Sequence, residues 1–423
     1  MIVAPEWLFP VTSPPLHRHA LEVENGLISA VRPLRDSDPF VPGTALLPGL
    51  INAHTHLAYT ALRNRFDHLE FFPWIRALTQ FKKQMTAEEI AASARLGINE
   101  CLRAGITTVA DMCDMEPALA ALAHSPLRGI FYIEVFGVEQ DMAEGSWREL
   151  QKRYPLLKEQ YSSSRLQIGI SPHTCYTVRP ELYRRIADWA IHDQIPISFH
   201  LSESKAEEDF IGKRSGPIFE ALQQRTADWV VSANTATSHL ETTGIFDAKP
   251  LLAHLVRASP DDIRILQKYD VTVAHCPKSN AKFGHGVAPA ADLIRNGFRV
   301  GLGTDSAASN NRLDLFEEAR FGLLQQRNRY GSGVLSETEM LEMMTIRGAA
   351  ALRMDHRIGS LEKGKEADMA LLRLPSCYAT GGQVLSHVIH NSVASDVLKT
   401  YIRGQEISTE DATPDLASLY GRP

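Results

Sequence analysis

The sequence predicts an α/β fold: a (β/α)8 barrel accompanied by a small β-domain that both ends of the chain build together. Three observations carry that expectation. Short apolar runs that stop at a polar or small residue alternate with helical patterns along most of the chain, as parallel strands joined by crossover helices require. Eight such runs can be counted, which favours a closed ring over an open sheet. The two ends instead carry Pro, Gly and short alternating segments, the pattern of strands and turns.

Strands are expected in order at 46–51, 107–112, 129–136, 166–171, 195–199, 251–253, 271–274 and 299–303. Between them helices are expected at 87–104, 180–193, 260–268 and 313–329, the second opening on Pro180, where a first helical turn needs no backbone N–H. The barrel is therefore expected over 46–355, and the small domain in two parts, 1–45 and 356–423. The stretch 225–250 is longer than an ordinary connection and suits a cover over a pocket or an interface.

Composition narrows the function classes. A chain of 423 residues, 44% hydrophobic and 22% charged, can bury a core large enough for a barrel plus a companion domain. Its net charge of −6 offers no basic field to gather phosphates, so nucleic acid is not expected as a partner. Five scattered cysteines without a CxxC pair frame neither a disulfide scaffold nor a zinc finger, and fit a reducing compartment. The first residues show no basic segment followed by an apolar run, and no stretch of about 18 apolar residues occurs. The expectation is a cytoplasmic protein without a membrane partner, acting on a small molecule.

The chemistry is concentrated at the strand ends. In PGLINAHTH, His54 and His56 stand at i and i+2 where a buried strand stops, so both rings point the same way and suit a metal. Further polar groups close later strands: His173 the fourth, His200 the fifth, His254 the sixth and Asp305 the eighth. A barrel collects its catalytic groups at that face. A lone histidine beside a strand is usually a core or surface residue, and solvated polar residues spread over helix faces; six of them ending barrel strands do not fit that ordinary explanation.

These residues resemble the amidohydrolase superfamily, and within it the branch of chlorohydrolases and aromatic-amine deaminases. The stretches HCPKSNAKFGHG from His275, GLGTDSAASNNRLDLFEEAR from Gly301 and IGSLEKGKEADMALL from Ile358 carry the resemblance along nearly the whole chain in the expected order. It implies a distorted (β/α)8 barrel with a small β-sandwich domain formed by both chain ends. It also implies one divalent metal ion per chain, held by His54, His56, His200 and Asp305, zinc first and iron second. Binuclear relatives use a fourth-strand lysine, and 166–173 contains none.

In that pattern metal coordination brings the pKa of water from far above neutrality towards about 7. Asp305 or His254 takes the proton released, and Glu203, three residues after His200, gives one to a ring nitrogen. His173 contacts substrate; Ser309 and Asn280 stand near the pocket, although short polar residues in turns are more often caps. Trp74 and its aromatic neighbours in 57–85 offer a lid on which a flat heterocycle stacks, against the plainer reading of a buried helix face. The resemblance implies ammonia release from an aminated N-heterocycle, foremost an adenine-type modified nucleoside such as aminodeoxyfutalosine, S-adenosylhomocysteine or methylthioadenosine. Gln80, Lys82 and Lys83 depart from S-adenosylhomocysteine deaminases, and Lys82 or Lys83 is available to a substrate carboxylate. Two alternatives are a hydrolase of triazines or other non-purine rings and a catalytically silent scaffold. Relatives of this branch commonly dimerise, so a homodimer is among the expected states.

Overall fold

The structure, a computed structural model, describes residues 1–231 and 233–408; the remainder of the expected C-terminal part, from 409 on, lies outside the described residues. Eight parallel strands form the barrel: Leu50–Thr55, Ile106–Cys113, Arg128–Val135, Leu166–Pro172, Ser198–Leu201, Leu251–His254, Thr272–His275 and Arg299–Leu302. Nearly every residue in them is buried, because helices cover one face and the opposite strands the other. The helices between them begin where the sequence signals them. Thr86 and Glu89 form a reciprocal cap on Ala87–Arg103, and Pro180 and Pro260 start Pro180–Asp193 and Pro260–Leu266.

The ring is distorted into two sheets of four strands, the first four and the last four. At one seam the fourth and fifth strands touch through isolated bridges, Ile170 with Ile197 and Thr174 with His200. At the other, the Asp305 amide donates to the His54 carbonyl at 2.9 Å, and the Asn52 side chain bonds both Oγ1 and the amide of Thr304 at 2.7 and 3.0 Å. Gly303 makes this approach feasible, since a Cβ there would stand 2.8 Å from Cβ of His54 and 2.9 Å from Sγ of Cys276.

The expected first strand at 46–51 is in fact two. Phe40–Pro48 belongs to the small sheet and Leu50–Thr55 to the barrel. The run from Ala45 to Ile51 is buried without interruption, so its periodicity hides the break, which falls at Gly49 where a side chain would collide with Thr107. The small sheet pairs both chain ends, with Met369–Arg373 antiparallel to Phe40–Pro48 and Ile2–Leu8 parallel to it. Buried Arg128, at the start of the third barrel strand, reaches Asp368 at 3.2 Å and also pairs with Glu366, fastening that sheet to the barrel. No helix among the described residues is long and apolar enough to cross a membrane.

A buried carboxylate supplies a test of packing. Glu318, on helix Leu315–Tyr330, accepts from Asn310 and from the Lys278 amide, and burial pushes its pKa from 4.5 up to about 8. Between those values the native chain holds a proton that the unfolded chain has lost, so this group's contribution to stability falls as pH rises across the window. Glu318→Gln, neutral at every pH, is expected to gain several degrees in Tm on the parent between pH 5 and pH 9. A difference in Tm that stays constant over that range would contradict the raised pKa.

Candidate active site

The functional side chains leave the strand ends at sharp turns of the backbone. Ser202, His254, Leu255 and Asp305 have φ between 48 and 76°, a region that side-chain-bearing residues enter only when surrounding contacts impose it. Each lies just past or at the end of a short strand, and the turn swings the side chain towards the barrel axis. His54 and His56 reach the same space by strand alternation.

Four of these side chains converge as a ligand set. Nδ1 of His56 donates to the Met112 carbonyl at 2.8 Å and Nδ1 of His200 to the His173 carbonyl at 3.0 Å, which leaves both Nε2 atoms as bare acceptors. Those two acceptors stand 3.3 Å apart. Asp305 Oδ1 lies 3.6 Å from Nε2 of His54 and 3.5 Å from Nε2 of His56, while neither ring nitrogen of buried His54 has a hydrogen-bond partner among the described residues. Lone pairs facing one another without a proton between them call for a cation. Ligand atoms about 2.0–2.1 Å from a tetrahedral ion stand about 3.3 Å apart, so these residues fit such an ion. Burial holds the His54 imidazole down to about 4 and that of His200 well below its ordinary value, keeping both neutral as ligation requires. The Asp305 carboxyl is desolvated, yet the neighbouring imidazoles of His54, His56 and His254 hold it well below the carboxylate range. Ser279 Oγ and the Ser306 amide donate to its two oxygens at 2.5 and 2.7 Å.

Beside the cluster Nδ1 of His254 donates to Oδ1 of Asn280 at 2.9 Å, leaving Nε2 turned towards Glu203 at 3.7 Å. Glu203 lies between that nitrogen and Nε2 of His285, also 3.7 Å away, and burial pushes its carboxyl up to about 7.

A family model described as the amidohydrolase family matches residues 45–407. The chain belongs to the amidohydrolase family. It is 33% identical over 386 residues to a 5-methylthioadenosine/S-adenosylhomocysteine deaminase of Syntrophomonas wolfei, spanning 88% of this chain and 84% of that one. A 5'-deoxyadenosine deaminase of Methanothrix thermoacetophila is 31% identical over 392 residues, 90% of this chain and 86% of its own. Among solved structures, a zinc-bound adenosine deaminase from Xanthomonas campestris superposes with a TM-score of 0.85 at 26% identity, over 99% of this chain and 95% of its own.

In this amidohydrolase the cluster forms the floor of a cavity of about 600 Å³. Phe71, Trp74, Ile75 and Leu78, the helically spaced residues of helix Phe71–Lys82, line it, so one face serves both readings of that segment. The Trp74 ring packs 4.8 Å from Phe283, and its buried indole N–H has no hydrogen-bond partner among the described residues. His173 lines the cavity with Nδ1 bonded to Thr177 at 2.9 Å. Lys82 also lines it, paired with Asp114 at 2.5 Å, and Arg225 at the start of the long connection reaches it while paired with Glu139 at 2.7 Å. Ser309 is outside the lining; its hydroxyl donates to the Ser306 carbonyl at 3.0 Å, and Ser306 occupies the wall. His275 is buried with no hydrogen-bond partner for its ring nitrogens among the described residues, and the Cys276 thiol is buried.

Sequence reasoning missed Glu134, His285 and Ser279. Glu134 closes the third barrel strand and lines the cavity, and the rule that selected the other strand ends applies to it equally. His285 and Ser279 come from the loop after the seventh strand, where spacing carries no signal for orientation.

Proposed function

We propose that this amidohydrolase is a hydrolytic deaminase of an adenine-type base carried in a modified nucleoside. The observation that carries the reading is the carboxyl of Glu203, protonated in part near neutrality, poised beside a three-histidine, one-aspartate ligand set on the floor of an aromatic-walled cavity. The names of the two relatives and of the zinc-bound structure support it, as each is a deaminase of an adenine nucleoside.

His54, His56, His200 and Asp305 would hold one divalent ion, zinc before iron, which when bound supplies the acidity that makes water a nucleophile near neutral pH. Glu203 gives its proton to a ring nitrogen as the attacked ring carbon becomes tetrahedral. His254, oriented by Asn280, or Asp305 takes the proton that water loses and passes it to the exocyclic amino group; the remaining hydroxyl proton returns to Glu203, and ammonia leaves as the C–N bond breaks and the product carbonyl forms. His173 and Trp74 contact the base or its substituent, and the ring stacks against the aromatic wall.

The test is ammonia release from aminodeoxyfutalosine, S-adenosylhomocysteine, methylthioadenosine and adenosine, with triazines alongside and metal content measured on the same preparation. Turnover of at least one purine nucleoside and none of the triazines is expected. Chloride or alkylamine release from a triazine without purine turnover would overturn the substrate class, and an absence of all turnover at one ion per chain would favour a silent scaffold.

A further inference from the structure

The carboxyl of Glu203 lies between the rings of His254 and His285, and the chain that carries it leaves the fifth strand through a turn in which Ser202 has φ of 53°. Such a turn persists where neighbouring contacts impose it. Two successive peptide units form it, and each is held at both ends. The Leu201 and Ser202 carbonyls accept from the amides of Leu255 and Arg257 at 3.0 and 2.8 Å. The amides of Ser202 and Glu203 donate to the two oxygens of one carboxylate, Glu207, at 2.8 Å each. Glu207 is 1% exposed and stands behind the turn rather than in the cavity wall.

An acidic residue at the third helical position ordinarily completes a capping box, its side chain returning to the amide of the cap residue itself. This chain does so at Glu89 with Thr86, at Asp262 with Ser259 and at Glu339 with Ser336. Helix Lys205–Lys213 is capped by Ser204, whose Oγ accepts from the Glu207 amide at 3.3 Å, but the Glu207 side chain reaches past that cap to the two residues before it. The Cys175 thiol, from the loop after the fourth strand, donates to the same carboxylate at 3.3 Å and ties the turn to the other half of the barrel. The Glu207 oxygens meet the turn and not the cavity, so their effect on the reaction passes through the residue that the turn carries.

We infer that Glu207 is a positioning residue: it clamps the turn at Ser202 and Glu203 and so fixes the direction in which Glu203 delivers its proton. The inference rests on the proposed role of Glu203. In Glu207→Gln the side-chain oxygen can take one backbone N–H, while the side-chain nitrogen faces the other as donor against donor. The turn is thereby released on one side with little change in shape.

The experiment is a double-mutant cycle of Glu203→Gln and Glu207→Gln in the metal-loaded enzyme. Ammonia release is followed on whichever of adenosine, methylthioadenosine, S-adenosylhomocysteine and aminodeoxyfutalosine the parent turns over fastest, with rates expressed per bound metal ion so that unfolded chain does not count. Glu207→Gln alone is expected to lower kcat about 10- to 100-fold with KM within about threefold, since a misaimed acid forfeits part of what acid catalysis contributes. In the Glu203→Gln background, where no acid is left to aim, the same substitution should cost less than about threefold. Equal losses in both backgrounds, or a Glu207→Gln variant with the parent kcat, would overturn the inference and leave the deaminase reading intact. If Glu207→Gln yields no metal-loaded chain, Glu207→Asp, one methylene too short to reach both amides, takes its place in the cycle under the same expectations. Loss of the metal from both Glu207 variants would also overturn the inference, placing Glu207 in the support of the ion. Full activity of Glu203→Gln would remove the acid and the inference with it, and no ammonia from any of the four nucleosides with metal bound would overturn the deaminase reading itself.

Discussion

Asp305→Ala is expected to purify with well under one metal ion per chain and to lose turnover on the order of 10⁴-fold or more, because water without an ion to acidify it is a poor nucleophile at neutral pH. Asp305 supplies the only negative charge among the four proposed ligands, and two anchored hydrogen bonds aim it at the histidines. Removing it leaves three neutral nitrogens to hold a dication in a buried pocket. The backbone there has φ of 58°, a conformation in which Asp and Asn are more at ease than Ala. Asp305→Asn is therefore the companion variant, relieving strain while still removing the charge. Metal analysis and ammonia release on both variants check the expectation. Either one holding a full ion and turning over at the parent rate would remove Asp305 from the ligand set.

Glu203→Gln is expected to keep its metal and its fold while losing about 10²- to 10⁴-fold in kcat, the range typical of a lost general acid. The amide has nearly the carboxyl's shape, and the Glu203 backbone amide still donates to Glu207 at 2.8 Å, so the loop has no cause to move. The pH dependence supplies a second readout. Burial raises this carboxyl to about 7, so the form that carries a proton is lost as pH rises through that value, and parent turnover should fall on the alkaline side. In the variant that limb should vanish. Activity within a factor of a few of the parent, or an unchanged alkaline limb, would assign the proton donor elsewhere.

Much of this architecture could be read from residues in order. Each expected strand overlaps an observed one, since short buried runs bounded by polar residues are what a barrel strand must be. His54, His56, His200 and Asp305 were legible because a strand end fixes both the position and the direction of a side chain. The division at Gly49 was hidden, because a continuously buried run has no periodicity to interrupt. Ser309 shows the opposite weakness. Its spacing from Asp305 suits a pocket residue, but the hydroxyl turns back to donate to the Ser306 carbonyl at 3.0 Å, an orientation set by a torsion that pattern does not reveal. Glu134 stands within an apolar strand end with no second ligand-type residue beside it, so its spacing alone gives no sign that it faces the cavity. His285 depends on how an irregular loop folds over the seventh strand, and only three-dimensional packing brings it within 3.7 Å of Glu203.

The division of the barrel into two half-rings bears on how the protein is assembled and dismantled. The first half contributes His54 and His56, the second His200 and Asp305, so a cation held by all four would be a non-covalent crosslink across the joint. Free energy of loading then adds directly to cohesion of the ring, growing with the logarithm of free ion over its dissociation constant. A chelator should accordingly lower the melting temperature as well as the rate, with the joints beside His54 and His173 the first to exchange their amide protons.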